Sequence, residues 1–549
     1  MTTEPNNPTS NPAPTGSHPP PYEAPSSILI IGSGAFGLST AWTLTQRPEF
    51  SQTRLTILDR SPEPGVFPAR DAASIDSSRI IRADYADPAY ASLASRASEH
   101  WRRKTTNPAD DLGREGRYSE SGLLLAADAG NGDTVRVLGG AEKTQDGNTD
   151  GKNKDGVAAP RTVPTALGYA KRSWVNALAL AQREGRPLDS IRMLPSPRAI
   201  GHISGTGGEF ADWGYLNEGS GWADAERCMD WLYRRVLATN RVEFVNGTAE
   251  RLETASDGRV TGATMKPSAE DGESSRLSAD LVIVAAGAWT PSLLDLQSQA
   301  VATGQVLAYM HITEEEQAKL EKIPVLLNMS TGHFIIPPCD GVLKVARHGY
   351  GYLNPKTVTS KPLGPHPSSN TKSEPTTTNT SKTDTNTNSR PQTISQPHTH
   401  LNDPTLAIPP EGEQDLRRAL RRLVPWPALH DRPFFRTRLC WYTDTSTGDW
   451  IVDYVPGRQG SIFIATGGSG HAFKFLPVLG DSVVDCIVGR RPPEFADKWA
   501  WRGGGGALSR SDGNAAEEDV EESIATEDGS RGGRTGLILQ EELDRASHD

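Results

Sequence analysis

The chain alternates short, wholly apolar runs with glycine-rich turns and with segments whose apolar residues recur every three or four positions. ILIIGSGAFGLSTAWTL (28–44) reads as a buried strand, a turn and the start of a helix, and RLTILDR (54–60) as a second buried strand ending on an acid. Residues 27–59 therefore make a βαβ crossover of ordinary size. DAASIDSSRIIRADYADPAYASLASRASEHWRR (71–103) predicts a loop followed by a helix, and DAERCMDWLYRRVLAT (224–239) an amphipathic helix with Cys228, Leu232 and Val236 on one face. RVEFVNGTAERLET (241–254) and LVIVAAGAWT (281–290) are expected strands. QVLAYMHIT (305–313), HFIIPP (333–338) and VLKVARHG (342–349) mark a strand-rich region. GEQDLRRALRRLVPW (412–426) predicts a helix with Leu416, Leu420 and Leu423 on its apolar stripe, and residues 461–489 repeat the order strand, glycine loop, helix. Parallel βαβ pieces at both ends with antiparallel material between predict an α/β chain. A doubly wound, Rossmann-like domain (27–110, 216–300 and 436–502) would be interleaved with an antiparallel-sheet α+β domain (111–215 and 301–435).

Composition adds the gaps in this plan. The 549 residues hold 53 Gly and 41 Pro, unevenly spread. Residues 1–26, 355–407 and 503–549 lack the apolar residues that offset ordering entropy and are expected to be disordered; residues 131–163 read as a polar insertion. The net charge is −11, and residues 511–549 carry twelve acids against three bases, so the body is nearly neutral. Nothing in that balance points to nucleic acid or an anionic membrane as partner. The longest apolar runs are half a membrane span, and no signal peptide opens the chain. Cys228, Cys339, Cys440 and Cys486 match no metal spacing and no disulfide framework, as in a reducing compartment. No metal is expected, and a cytoplasmic location is.

Gly32, Gly34 and Gly37 form G-x-G-x-x-G. The first makes the tight turn, the second lets backbone approach a pyrophosphate, and the third lets helix pack on strand. The helix N-terminus presents free N–H groups to phosphates. Asp59, 22 positions beyond Gly37, ends the second strand, where a carboxylate accepts hydrogen bonds from ribose hydroxyls. This predicts a bound dinucleotide, FAD or NAD.

Further stretches carry a resemblance. LVIVAAGAWT, with Gly287, resembles the second flavin-contact strand of two-domain FAD enzymes. SSRIIRADY (77–85), VLKVARHGYG (342–351), RLCWYTDTSTGDWIVDYVP (438–456) and ATGGSGHAFKFLPVLGDSVV (465–484) are similar, in order, to blocks of the sarcosine oxidase, pipecolate oxidase, saccharopine oxidase and fructosyl-amino-acid oxidase family, whose fold resembles that of D-amino-acid oxidase. The resemblance covers most of residues 27–502. It implies an FAD-binding domain and a substrate domain. Beside Gly32, Gly34, Gly37, Asp59 and Gly287, it implies cofactor contacts from Ala35, Phe36, Arg60, Ser77, Ser78, Gly470, His471 and Lys474.

Cys440 takes the place of the cysteine that bonds covalently to the flavin 8α-methyl in this family; a thiolate is the nucleophile such a bond requires. Arg82 and Lys474 take the place of a clamp on the substrate carboxylate, a planar fork beside a point charge. Lys344 matches the lysine that faces the flavin and activates O2, where a fixed cation stabilises superoxide. Strand alternation puts Lys344 opposite Leu343 and Val345. Arg79 and Tyr442 fall on active-site positions near the flavin ring, and His348 on another matched position of the same cavity. The loop GGSGHAF opens a helix whose positive end, by analogy, faces the pyrimidine edge of the ring.

The chain departs from the sarcosine-oxidising members, which carry histidine where it has Ile75 and threonine where it has Ser78. ASIDSSRIIRADY is more similar to the branch acting on fructosyl amino acids, saccharopine or pipecolate. The implied function is oxidation of a secondary amine of an amino acid to an imine, with O2 reduced to H2O2, by a monomer or homodimer. The resemblance leaves a peroxisomal location open, although the last residues, ASHD, are not an address of the Ser-Lys-Leu type. Two alternatives stay open from sequence: a dehydrogenase passing electrons to another acceptor, and a flavin-binding scaffold with little turnover.

Overall fold

The computed structural model describes residues 22–61, 63, 65–130, 132–137, 161–268, 272–358, 362–365, 392–502 and 525–545. The disorder expected of 1–21, 366–391, 503–524 and 546–549, and most of the 131–163 insertion, lie outside these residues.

Among the described residues, eight strands form one sheet in the order Ser275–Ser278, Val260–Pro267, Val242–Thr254, Arg54–Asp59, Ser27–Ile31, Leu281–Val284, Ile462–Thr466, Ile451–Tyr454. The central five run parallel. Ser27–Ile31, Leu281–Val284 and Ile462–Thr466 are buried along their whole length, which is why they read as unbroken apolar runs. The helices Ala35–Gln46 and Leu476–Ile487 pack so closely that a Cβ on Gly480 would come within 2.0 Å of the Ser39 carbonyl oxygen. The helix Ala225–Ala238 is capped by Asp224, which accepts from the Arg227 N–H, and buries Cys228, Leu232 and Val236 as its pattern predicts.

A second, mainly antiparallel sheet of ten strands includes Ala300–His311, Val342–Arg347, His333–Cys339 and Leu123–Ala127. The helix Pro410–Leu423 covers it with Leu416, Leu420 and Leu423. The strand Arg436–Thr445, assigned by sequence to the dinucleotide domain, pairs along its length with Ala300–His311 and so belongs to this sheet. A chain that crosses between domains leaves no compositional mark, because both sides of the crossing are buried strand.

Two segments expected to be disordered, and the polar insertion, are partly structured. Pro355–Val358 pairs with Gln392–Ser395, and Thr134–Val137 with Arg161–Pro164, as hairpins. Residues 525–545 fold back: Leu537–Ile538 pairs with Tyr352–Leu353, and Leu539–Asp544 is helical. Leu537 and Leu539 fill the apolar core under the second sheet. An acidic tail averages these few apolar residues away, yet each buried leucine returns roughly 1.5–3 kcal/mol. No helix among the described residues is long and apolar enough to cross a membrane.

Candidate active site

A cavity of about 430 Å³ starts at the glycine turn and runs between the sheets, from Gly34, Ala35, Phe36, Asp59 and Arg60, past Gly287, to Arg79, Tyr442, Gly470 and Phe473. The three glycines divide the work as the motif requires. Gly32 has φ +105°, and a Cβ there would meet the Ala285 carbonyl oxygen at 2.5 Å; a Cβ on Gly37 would lie 1.8 Å from the Gly32 oxygen. Gly34 has only Ser74 Oγ, at 3.8 Å, and so bares backbone to the cavity at the start of the helix Ala35–Gln46. Ser74 Oγ is buried without a hydrogen-bond partner among the described residues. Asp59 accepts from the N–H groups of Ser33 and Arg60, each at 2.8 Å. Arg60 pairs with Asp71 at 2.7 Å and lies over the Trp289 ring. The turn, the acid and a long groove fit a dinucleotide, whose ring end would lie toward Arg79 and Tyr442.

Strand register assembles that ring end. Directly paired residues share a face of a sheet. Lys344 pairs with Tyr309, Ala346 with Leu307, Gln305 with Cys440 and Thr303 with Tyr442, so Lys344, Tyr309, Cys440 and Tyr442 stand on one face. Leu343 and Val345 point into the core behind it. Cys440 is 1% exposed, with Sγ 3.5 Å from an Arg79 nitrogen. It does not itself line the cavity; its neighbours Arg79 and Tyr442 do.

Beyond Arg79, Tyr442, Gly470 and Phe473, which line both spaces, lies a chamber of about 70 Å³ holding Ser78, Arg82, Lys344, His348, His471 and Lys474. Arg82 is 6% exposed and its Nη1 has no hydrogen-bond partner among the described residues. Lys474 Nζ donates to the Tyr85 hydroxyl and the His471 carbonyl, both at 2.9 Å. Burial, with Arg82 and Arg531 close by, holds its ammonium well below the ordinary lysine range. Asp84 is the buried carboxylate nearby, but neither Arg82 nor Lys474 takes part in an ion pair among the described residues, and two such basic groups side by side make a receptor for an anion.

Lys344 is not free. Its Nζ donates to Asp76 Oδ2 at 2.6 Å and to the Ser78 carbonyl at 3.0 Å. Asp76 also accepts from Arg79 and from the Tyr309 hydroxyl. Burial disfavours its charge, but Lys344 and Arg79 outweigh that and hold its carboxyl well below the usual range. Burial brings Lys344 down to about 8, against the pull of Asp76.

The C-terminal segment supplies a residue that composition hides. Arg531, 4% exposed, ion-pairs with Asp444 at 2.5 Å, donates to the Ser469 carbonyl at 2.8 Å, and lies 2.8 Å from His348 Nδ1. Burial, then Arg531, holds His348 well below the ordinary histidine range, so it stays neutral.

Beyond Gly37 and Cys440, four expected cofactor contacts do not line the dinucleotide cavity; one, Ser78, lines the chamber. Ser77 is exposed, with its N–H and Oγ turned to Asp76, and lines none of these spaces; the strand that begins at Arg79 turns it outward, and Ser74 takes the place on the cavity wall. His471 and Lys474 line the chamber rather than the dinucleotide cavity. Both His471 ring nitrogens are engaged, by Tyr85 and the Gly448 carbonyl. Ile75, where the sarcosine branch has histidine, is core. Asp76 was within reach of the sequence, inside ASIDSSRIIRADY; Arg531 had no local signal.

Comparison with known proteins bears on the family and the fold. Residues 27–486 match the model of the DAO family, described as FAD-dependent oxidoreductase. An amino acid oxidase, imqH, of Aspergillus flavus is 31% identical over 503 residues, covering 85% of this chain and 93% of its own. L-saccharopine oxidase of Schizosaccharomyces pombe is 25% identical, covering 86% and 93%. The structure of fructosyl peptide oxidase from E. terrenum superposes with a TM-score of 0.68 at 22% identity, over 95% of this chain and 97% of that one; at that identity the likeness concerns the fold. With the family model spanning both sheets and the dinucleotide cavity, the chain belongs to the DAO family of FAD-dependent oxidoreductases.

Proposed function

We propose that the protein oxidises the secondary amine of an N-substituted amino acid, with O2 as electron acceptor and H2O2 as product. The observation that carries this reading is the buried Arg82, whose Nη1 has no hydrogen-bond partner among the described residues, beside Lys474 in the chamber next to the cofactor cavity. Arg82 offers the planar fork and Lys474 the point charge for a carboxylate, and the imine product hydrolyses in water. When bound, FAD supplies a two-electron acceptor for the C–H beside the substrate nitrogen. Tyr442 and Arg79 border both spaces and orient the reacting end. No strong acid or base is required beyond removal of the ammonium proton.

Lys344, Arg79 and Asp76 form a cluster of two cations and one carboxylate. It keeps a net positive charge where oxygen is reduced, which supports the oxidase reading despite the ion pair. That same ion pair favours, as a second reading, a dehydrogenase with another acceptor. Cys440 is the covalent anchor in this proposal: its Sγ lies 3.5 Å from an Arg79 nitrogen, beside the cofactor cavity that Arg79 lines.

Purified protein is expected to be yellow and to keep its flavin through acid precipitation, and Cys440→Ala to release it. A panel of fructosyl amino acids, saccharopine, pipecolate and N-methyl amino acids, read as anaerobic flavin bleaching and aerobic peroxide, tests the activity. Bleaching by none of them would overturn it. Equal reoxidation in air by Lys344→Met would remove Lys344 from the oxygen step, and slow reoxidation of the wild type in air would shift the acceptor away from oxygen.

A further inference from the structure

Beyond the chamber lies an outer cavity of about 400 Å³, joined to it by Arg82, His348 and His471, which line both. The order from inside outward is cofactor cavity, chamber with the cation pair, outer cavity. The outer cavity receives whatever a substrate carries beyond its carboxylate.

Most charges around this space are spent on one another. Lys498 pairs with Asp87 at 2.5 Å, and Asp449 with Arg502 at 3.2 Å. Arg531 pairs with Asp444, and Arg172 stands on the exposed rim. Left in no ion pair among the described residues are Arg82 and Lys474 on the chamber side, with buried Asp84 behind them, and Asp528 in the outer cavity. The Asp528 carboxylate accepts from the N–H of Ser530, two residues on, at 2.8 Å, and among the described residues it takes part in no ion pair. It stands over Gly448, where a Cβ would come within 3.3 Å of Oδ2. Both sides of it are pinned: Thr526 Oγ1 donates to the Thr445 carbonyl at 3.0 Å, Glu527 N–H to the Ser446 carbonyl at 2.9 Å, and Arg531 anchors the far side. The rings of Tyr85, Tyr90 and Tyr169 line the same space. A fixed carboxylate with aromatic walls is the arrangement that takes up a protonated nitrogen.

We infer that Asp528 is a specificity-determining residue that receives a second, protonated nitrogen of the substrate, so that the preferred substrate is an N-substituted amino acid bearing a distal ammonium group. This rests on the function proposed above and adds the class of its side arm. The carboxylate and the ammonium of one zwitterionic molecule then meet groups of opposite sign that stand in no ion pair among the described residues.

The test compares Nα-methyl-L-lysine with Nα-methyl-L-norleucine, which differ by the terminal ammonium, on the flavin-loaded full-length protein. Wild type is expected to favour the lysine derivative at least 10-fold in kcat/KM. Asp528→Asn, which keeps the bond to Ser530, is expected to bring the ratio near 1 by raising KM for that substrate with kcat retained. A wild-type ratio near 1 with both compounds oxidised, or a ratio unchanged in Asp528→Asn, overturns the role of Asp528 and leaves the oxidase standing. Failure of both compounds and of the wider panel to bleach the flavin overturns the oxidase and this inference together.

Discussion

Lys474 and Lys344 are both buried lysines, and their partners give them opposite duties. Lys474 has cations for neighbours, so its proton is loosely held until an anion arrives. On the proposed function, docking of a carboxylate favours the charged form, and binding a non-reactive acid should be accompanied by proton uptake. Calorimetry in buffers of different ionisation enthalpy reads this, and Lys474→Met should abolish it. Lys344 has Asp76 and titrates at about 8. In the proposed oxidase its cation is the form that serves oxygen, so reoxidation of the reduced enzyme should be full below that pH and fall as pH rises through it. Stopped-flow reoxidation checks this, and Lys344→Arg should remove the fall. The roles of Gly32, Gly34 and Gly37 were legible in sequence because each answers to a local backbone demand. The partner of Lys344 was not: the Asp76–Lys344 contact spans 268 positions and depends on register, which no local pattern states.

Strands and helices of the parallel sheet were legible because burial on both faces leaves unbroken apolar runs between glycine turns. What the pattern could not say is which sheet a buried strand joins. Arg436–Thr445 reads like its neighbours yet pairs with Ala300–His311, and that pairing brings Cys440 and Tyr442 onto the face of Lys344. The contact between Ala35–Gln46 and Leu476–Ile487 couples the glycine turn to the loop carrying Gly470. Gly480→Ala puts a methyl against the Ser39 carbonyl, and overpacking of this kind costs about 1–3 kcal/mol. A lowered Tm together with weaker flavin retention is expected. An unchanged Tm would mean the helices separate without penalty.

The molecule as a whole brings three stretches from opposite ends of the chain to one hollow: residues 76–85, residues 438–474 and the returning segment at 528–531. Composition predicted that last stretch to be a solvated acidic tail, and the few residues that anchor it are too sparse to change an average. The body is nearly neutral, so no long-range field draws the substrate in; selection falls to the buried charges at the end of the path. Anaerobic titration of the flavin-loaded protein with an N-methyl amino acid and with its carboxamide settles whether the Arg82–Lys474 pair does this. The acid is expected to bleach the flavin at a concentration at least 100-fold lower than the amide, with the gap closing in Arg82→Met; equal bleaching by acid and amide in the wild-type protein would contradict it.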